Sequence, residues 1–275
     1  MRRATTTASV GAVSSAGLDQ RDDLLATEEP MAIQVRGPGQ EPESVAVTMR
    51  TPGHDFELAV GFLASEGLIA GRESIRAVRY CDVEPGEQLY NVVTVDLRVP
   101  FDFGFAKRSF VASSSCGICG KAALDQISVV AAPIPAGPVV ARSVVAALPG
   151  ALRMHQGLFE ETGGLHAAGL FDVGGTLEAL REDVGRHNAV DKVIGRAFLA
   201  DELPLSTAVL LVSGRASFEI VQKAAVAGIP ILCAVSAPSS LAVDAARRFG
   251  MTLVGFLRGE RFNLYSHPER VDLTS

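Results

Sequence analysis

The sequence predicts an α/β protein, α+β overall, with a smaller N-terminal α+β unit ahead of a C-terminal α/β domain. Three observations predict it. Beyond residue 200, continuously apolar runs (Ala208 to Val212, Ile229 to Val235, Met251 to Leu257) alternate with helical patterns at Ser217 to Ala227 and Leu241 to Phe249. Gly228 and Gly250 stop those helices. Unbroken apolar strands alternating with helices mean a largely parallel sheet covered on both faces. Before residue 100 the apolar residues instead alternate at period two, as in antiparallel strands with one wet face. Between the two styles, Ala131 to Val140 carries Pro133, Pro135 and Pro138, an extended linker and a domain boundary. The chain therefore divides into a disordered tail (1–29), an N-terminal α+β unit (30–112), a cysteine loop with its Pro-rich linker (113–140) and the C-terminal α/β domain (141–275).

Taken in order, the tail is rich in Thr, Ala, Ser and Gly and has no sustained apolar run, so Arg2-Arg3 does not open an export signal. Ala32 to Arg36 and Ser44 to Met49 flank Gly37-Pro38-Gly39 and read as a β-hairpin. Phe56, Ala59, Val60, Leu63 and Ala64 fall at helical spacing, with Gly67 as the stop. His54 and Asp55 open that helix and read either as functional residues or, the commoner case, as a cap and a surface polar residue. Ile75 to Val83 and Leu89 to Val99 are strand-like. Val144 to Phe159 has the spacing of one long helix weakened at Gly150. Leu165 to Asp172 and Thr176 to Glu182 flank Gly174-Gly175 as a second hairpin, and Asn188 to Ala200 is helical.

Composition narrows the function classes. The 275 residues are 48% hydrophobic and 20% charged, enough for a substantial core. A net charge of −6 argues against nucleic acid as a partner, so an anionic ligand would need a local site. No apolar run reaches the ~20 residues that span a bilayer, so no membrane association is expected. Four cysteines without a secretory signal point to a reducing cytoplasm.

Two of those cysteines lie in Ser113-Ser114-Ser115-Cys116-Gly117-Ile118-Cys119-Gly120-Lys121. Glycines leave the sulfurs little shielded, and a helical pattern starting at Lys121 brings a helix N-terminus and a cation close to Cys119. Both favour the thiolate. The loop is built to present a reactive sulfur. Half a zinc site, a structural disulfide and a thioredoxin-like pair are the competing readings. A closed zinc site needs four ligands, yet Cys81 and Cys233 lie inside apolar strand-like runs, and no metal is expected. A redox pair would follow a strand near the start of a βαβ unit, whereas this motif lies mid-chain.

In the second half, polar residues gather after the strands. Asp183-Val184-Gly185-Arg186-His187-Asn188 follows Thr176 to Glu182, Ser213-Gly214-Arg215-Ala216-Ser217 follows Ala208 to Val212, Ser236-Ala237-Pro238-Ser239-Ser240 follows Ile229 to Val235, and Arg258-Gly259-Glu260-Arg261 follows Met251 to Leu257. In a parallel sheet these loops share one edge, where open α/β folds bind ligands. Three of the loops also open helices, so free N–H groups face the crevice, and serines with arginines there suit phosphate or pyrophosphate. Singly, Ser217, Ser239 and Ser240 read as N-caps. No complete P-loop or dinucleotide fingerprint is present. His166 is followed by Ala167 and Ala168, and Ser115 rather than proline precedes Cys116, so the glutamate and proline of a zinc deaminase are missing. His166 reads equally as a ligand contact or a core histidine.

Taken together, Ser115 to Gly120, Thr162 to Ala168, Glu182 to Lys192, Ser213-Gly214-Arg215, the Pro52 to Gly67 helix and Gly255 to Gly259 resemble the FdhD family, from about Val35 to Tyr265. The resemblance implies a sulfur carrier of the sulfurtransferase type, with a fold similar to cytidine deaminases in the C-terminal domain. Such a protein takes sulfane sulfur from a cysteine desulfurase as a persulfide. It passes that sulfur to a molybdenum cofactor, bis-molybdopterin guanine dinucleotide, before the cofactor enters the formate dehydrogenase catalytic subunit. It implies Cys116 as carrier with Cys119 in support, and cofactor contacts from Phe256, Leu257, Arg258, Gly259, Glu260 and Arg261; the pyrophosphates of such a cofactor suit the crevice residues His166, Arg186, His187, Ser213, Arg215 and Ser236. It also implies a homodimer. A cofactor-escorting chaperone and a thiol–disulfide oxidoreductase are the alternatives.

Overall fold

A computed structural model describes residues 3–81, 89–104, 131 and 133–274. Residues expected to form a disordered tail are instead a β-hairpin, β1 (Thr5–Ser14) and β2 (Gly17–Ala26), in continuous register from Thr5↔Ala26 to Ser14↔Gly17. Gly17 takes φ 122° at the turn, which suits glycine. The hairpin escapes a hydrophobicity-based reading because it has no buried face: Val13 and Leu18 stay exposed. Its order rests on the backbone ladder.

The N-terminal unit is a four-stranded sheet in the order β4-β3-β6-β5, made of β3 (Glu29–Arg36), β4 (Glu43–Arg50), β5 (Ile75–Tyr80) and β6 (Val92–Leu97). The β3–β4 and β5–β6 pairs are antiparallel and β3–β6 is parallel. The alternation of β3 is visible in its burial: Met31, Ile33 and Val35 are in the core. Helix α1 (Asp55–Ser65) covers that face with Leu58, Ala59 and Leu63.

The C-terminal domain has three layers. Its six-stranded sheet, order β13-β12-β11-β10-β8-β9, comprises β8 (His166–Phe171), β9 (Leu177–Asp183), β10 (Val209–Val212), β11 (Ile231–Ala234), β12 (Thr252–Arg258) and β13 (Arg261–Ser266). The sheet is mixed: β10, β11 and β12 run parallel, while β8 and β13 are antiparallel to their neighbours. β9 is antiparallel to β8 and so runs with β10. One face packs on α4 (Arg186–Leu199), α5 (Phe218–Val226) and α6 (Ser240–Phe249), the other on α2 (Arg142–Met154). Leu210, Leu232 and Leu253 point to the first layer and Val209, Leu211 and Cys233 to the second, the alternation that makes each strand apolar throughout.

Two expectations change. The long helix over Val144 to Phe159 is two, α2 and α3 (Gly157–Thr162). The break falls at His155-Gln156 rather than at Gly150, which stays helical. The proline-rich stretch is no free linker in its described part. Ile134 N–H donates to Phe249, Arg270 reaches the Pro135 carbonyl, and β7 (Val140–Ala141) pairs with β14 (Val271–Asp272).

The two units are stitched together rather than merely linked. Helices α1 and α4 cross at Gly61 and Gly195. A Cβ on Gly61 would fall 1.8 Å from the Asp191 carbonyl oxygen, and one on Gly195 equally close to that of Glu57. Only glycine permits this approach. It brings Asp191 within 2.7 Å of Ser65 Oγ and 2.9 Å of Lys223 Nζ. Glu57 pairs with Arg181 across the same boundary, and Phe198 of α4 joins the N-terminal core.

Candidate functional site

The turn between β9 and α4 is organised by one fully buried carboxylate. Asp183 accepts from the Thr51 N–H (3.2 Å), the Gly185 N–H (2.8 Å) and Asn188 Nδ2 (2.9 Å), and lies 2.7 Å from Lys192 Nζ. Lys192 also donates to the Thr51 and Glu182 carbonyls. Thr51 Oγ1 accepts from the Val184 N–H, and Asn188 donates to the Met49 carbonyl. Every polar atom here has a partner, as a buried ion pair requires. The N-terminal unit thus holds the turn that presents Arg186 and His187. Asp55 is not a surface residue: its carboxylate is buried against Arg50 Nε and Nη2, both at 3.1 Å. It braces the segment from which Thr51 reaches Asp183. His54, by contrast, is exposed at φ 57°.

Above this base several polar side chains converge. His187 Nε2 lies 3.2 Å from Ser217 Oγ and 3.9 Å from the Glu219 carboxylate. Burial, then the Arg186 charge, pulls His187 down to about 4, so the ring is neutral at physiological pH. His166, half-buried at the start of β8, is held low for the same two reasons, partly offset by Asp183. Gly214 lies against it: a Cβ there would be 3.4 Å from His166 Nδ1 and 3.9 Å from the Arg186 Cβ. Arg186 Nε is buried with no hydrogen-bond partner among the described residues. A buried guanidinium nitrogen without an acceptor, beside two neutral imidazoles, suits an anionic group brought by a ligand.

Backbone donors add to this. Gly185 and Ser217 occupy the N-cap positions of α4 and α5 without capping them through side chains. Ser217 turns its hydroxyl to His187 instead, so it is more than a cap. Ser239 does cap α6, accepting from the Ala242 N–H, and Ser240 is its exposed first residue. Two uncapped helix N-termini at one sheet edge offer N–H groups and positive dipole ends to an anion.

The other predicted residues divide. Ser213 lies at this edge, but its Oγ accepts from the Ala167 N–H at 2.9 Å, latching β10 to β8. Arg215 is exposed. The Ser236 carbonyl accepts from the Phe256 N–H. Phe256 sits at φ 53°, 43% exposed, at an irregularity in the β12–β13 ladder. That conformation is costly for an aromatic residue, and such strain gathers at functional sites. The Leu257 side chain is buried in the core, whereas Arg258, Gly259, Glu260 and Arg261 form the exposed hairpin tip. Cys116 and Cys119 lie outside the described residues. Cys233 is fully buried and pushed up to about 12 by that burial, so it is an inert thiol.

Sequence reasoning missed Thr51 and Glu219, and it placed Asp183, Asn188 and Lys192 in the right stretch without assigning them a role. For Asp183 and Lys192 a signal existed, since charged residues in an amphipathic run with apolar neighbours on both sides need buried partners. Thr51 lies 132 residues from Asp183 in the chain, and no local pattern reveals that contact.

Comparison with known proteins fits this architecture. The FdhD/NarQ family model matches residues 26–272. The chain belongs to the FdhD/NarQ family. It is 52% identical over 273 residues to the sulfur carrier protein FdhD of Nocardia farcinica, covering 98% of this chain and 95% of that one. It is 49% identical to the FdhD sulfur carrier of Streptomyces coelicolor, over 99% of this chain and 98% of the relative. Among solved structures it is similar to a candidate formate dehydrogenase accessory protein from Desulfotalea psychrophila. That likeness has a TM-score of 0.75 at 27% identity and covers 98% of this chain and 99% of the other. The FdhD/NarQ match begins at residue 26, so the β1–β2 hairpin precedes the family region.

Proposed function

We propose that this protein is a sulfur carrier. It accepts sulfane sulfur from a cysteine desulfurase as a persulfide on Cys116, with Cys119 in support, and delivers it to the guanine dinucleotide form of the molybdenum cofactor. That cofactor is its substrate and afterwards passes to a formate dehydrogenase. One observation carries the reading: a chain about half identical, end to end, to proteins named sulfur carriers has an anion-ready crevice at its sheet edge.

Arg186, with the α4 and α5 N-termini, is suited to a pyrophosphate of the substrate. Phe256, bent outward at φ 53°, is suited to stacking on a base. His166 and His187, neutral at pH 7, can donate or accept a hydrogen bond without adding charge beside the ligand. Sulfur transfer leaves Cys116 as a thiolate, which is reloaded by the desulfurase. The likeness to cytidine deaminases belongs to the same proposal, supported by the three-layer arrangement of the C-terminal domain. An escort role without sulfur transfer is the second reading, favoured by the same crevice.

The deciding experiment is intact mass after incubation with a cysteine desulfurase and cysteine. The wild type should gain one sulfur atom, removed by thiol reductant, and Cys116→Ala should not. Absence of the gain in the wild type beside an active desulfurase would leave the escort role.

A further inference from the structure

A second cationic site lies at the far end of the N-terminal sheet. β3 starts at Glu29, opposite Arg50 and so beside Thr51, and ends at Arg36, seven residues and roughly 23 Å away at strand rise. There a cavity of about 190 Å³ is lined by Arg36, Gly37, Gln40, Arg76 and Asp96 among others. At about 30 Å³ per water, it holds some six waters: room for one small group and too little for a nucleoside.

Three features make this a built pocket. Asp96 fixes two guanidiniums by their Nε atoms, Arg36 on one carboxylate oxygen at 2.8 Å and Arg79 on the other at 2.9 Å. The Nη groups of Arg36 are left without a partner among the described residues. Arg76 is the extra residue of a β-bulge, between the Ile75↔Leu97 and Ala77↔Asp96 pairs. The bulge turns Arg76 out of the ladder, where it is exposed and unpaired among the described residues. The third feature is the turn after β3, which is locked. Gln40 Oε1 accepts from the Gly37 and Phe101 N–H groups, and its Nε2 donates to the Phe101 carbonyl. Gly37 admits no side chain, since a Cβ would fall 2.6 Å from the Val99 carbonyl oxygen.

We propose that this pocket binds a single carboxylate between the Arg36 fork and Arg76. Asp96 is shared between Arg36 and Arg79, so three guanidiniums face one carboxylate and the pocket keeps a net positive charge that draws an anion. Asp96 already demonstrates the geometry, a carboxylate held by guanidinium edges. The carboxylate can come from a free small acid or from an Asp or Glu side chain of a docking protein.

The test follows the arginine Nε–Hε NMR signals of the full-length protein at constant ionic strength. The probes are acetate, a Glu-rich hexapeptide and inorganic phosphate. Saturable shifts with acetate or peptide, weakened about tenfold in Arg76→Gln, support the site. Tighter binding of the peptide per carboxylate identifies a protein segment as the source, and equal binding a free acid. Shifts that stay linear with concentration, are equal in Arg76→Gln, or favour phosphate would overturn the proposal.

Discussion

The crossing of α1 and α4 makes a sharp quantitative prediction. In Gly195→Ala the new Cβ would lie 1.8 Å from the Glu57 carbonyl oxygen. A relaxed C···O contact is about 3.3 Å, so the helices must part by about 1.5 Å at a packed interface. Overpacking of this kind costs about 1–3 kcal/mol. Alanine's helix propensity returns at most about 1 kcal/mol. The same separation stretches the Ser65–Asp191 contact, now 2.7 Å, past hydrogen-bonding range. Losing buried partners adds about 1–3 kcal/mol. The net loss is about 3 kcal/mol, a fall in Tm of roughly 6–12 °C. Gly150→Ala is the control: it is helical, with nothing within 4 Å of its Cβ position, and should gain about 0.5–1 kcal/mol. Chemical denaturation of the two variants and the wild type gives the comparison. A Gly195→Ala protein as stable as Gly150→Ala would refute the close crossing.

Three further outcomes follow from the site. Lys192→Met strands the buried Asp183 carboxylate and should cost about 3–5 kcal/mol in urea denaturation, with Asp183→Asn in the same chain restoring part of it. His187 has a folded pKa of about 4 against an unfolded value near 6.5, so the unfolded chain binds the proton more readily. Stability should therefore be full above about pH 6.5 and decline as pH falls toward 4. At about 1.4 kcal/mol per pH unit the gap is roughly 3 kcal/mol, which solvent screening of a ring 35% exposed reduces to about 1–2, and His187→Gln should flatten the profile in that window. Phe256→Gly relieves a positive φ and should stay within about 1 kcal/mol of the wild type in stability, while GDP binding by calorimetry weakens by about tenfold or more through lost stacking; unchanged GDP affinity would remove Phe256 from the site.

The sequence by itself determined the elements whose cause is local. Period-two runs became β3 and β4, apolar runs became β10, β11 and β12, and Gly250 ended α6 at φ 71°. It also placed the polar loops at one sheet edge, because strand direction and helix alternation fix where loops emerge. The β1–β2 hairpin was not legible, since cross-strand hydrogen bonds order it without an apolar stripe. Nor was the role of Ser213, whose hydroxyl serves strand pairing rather than the crevice. Tertiary structure alone decided that Asp55 is buried, that Thr51 completes Asp183, and that Gly61 meets Gly195. Each depends on groups distant in sequence meeting at atomic range. Sequence periodicity records which face of an element is buried, but not which partner it meets there.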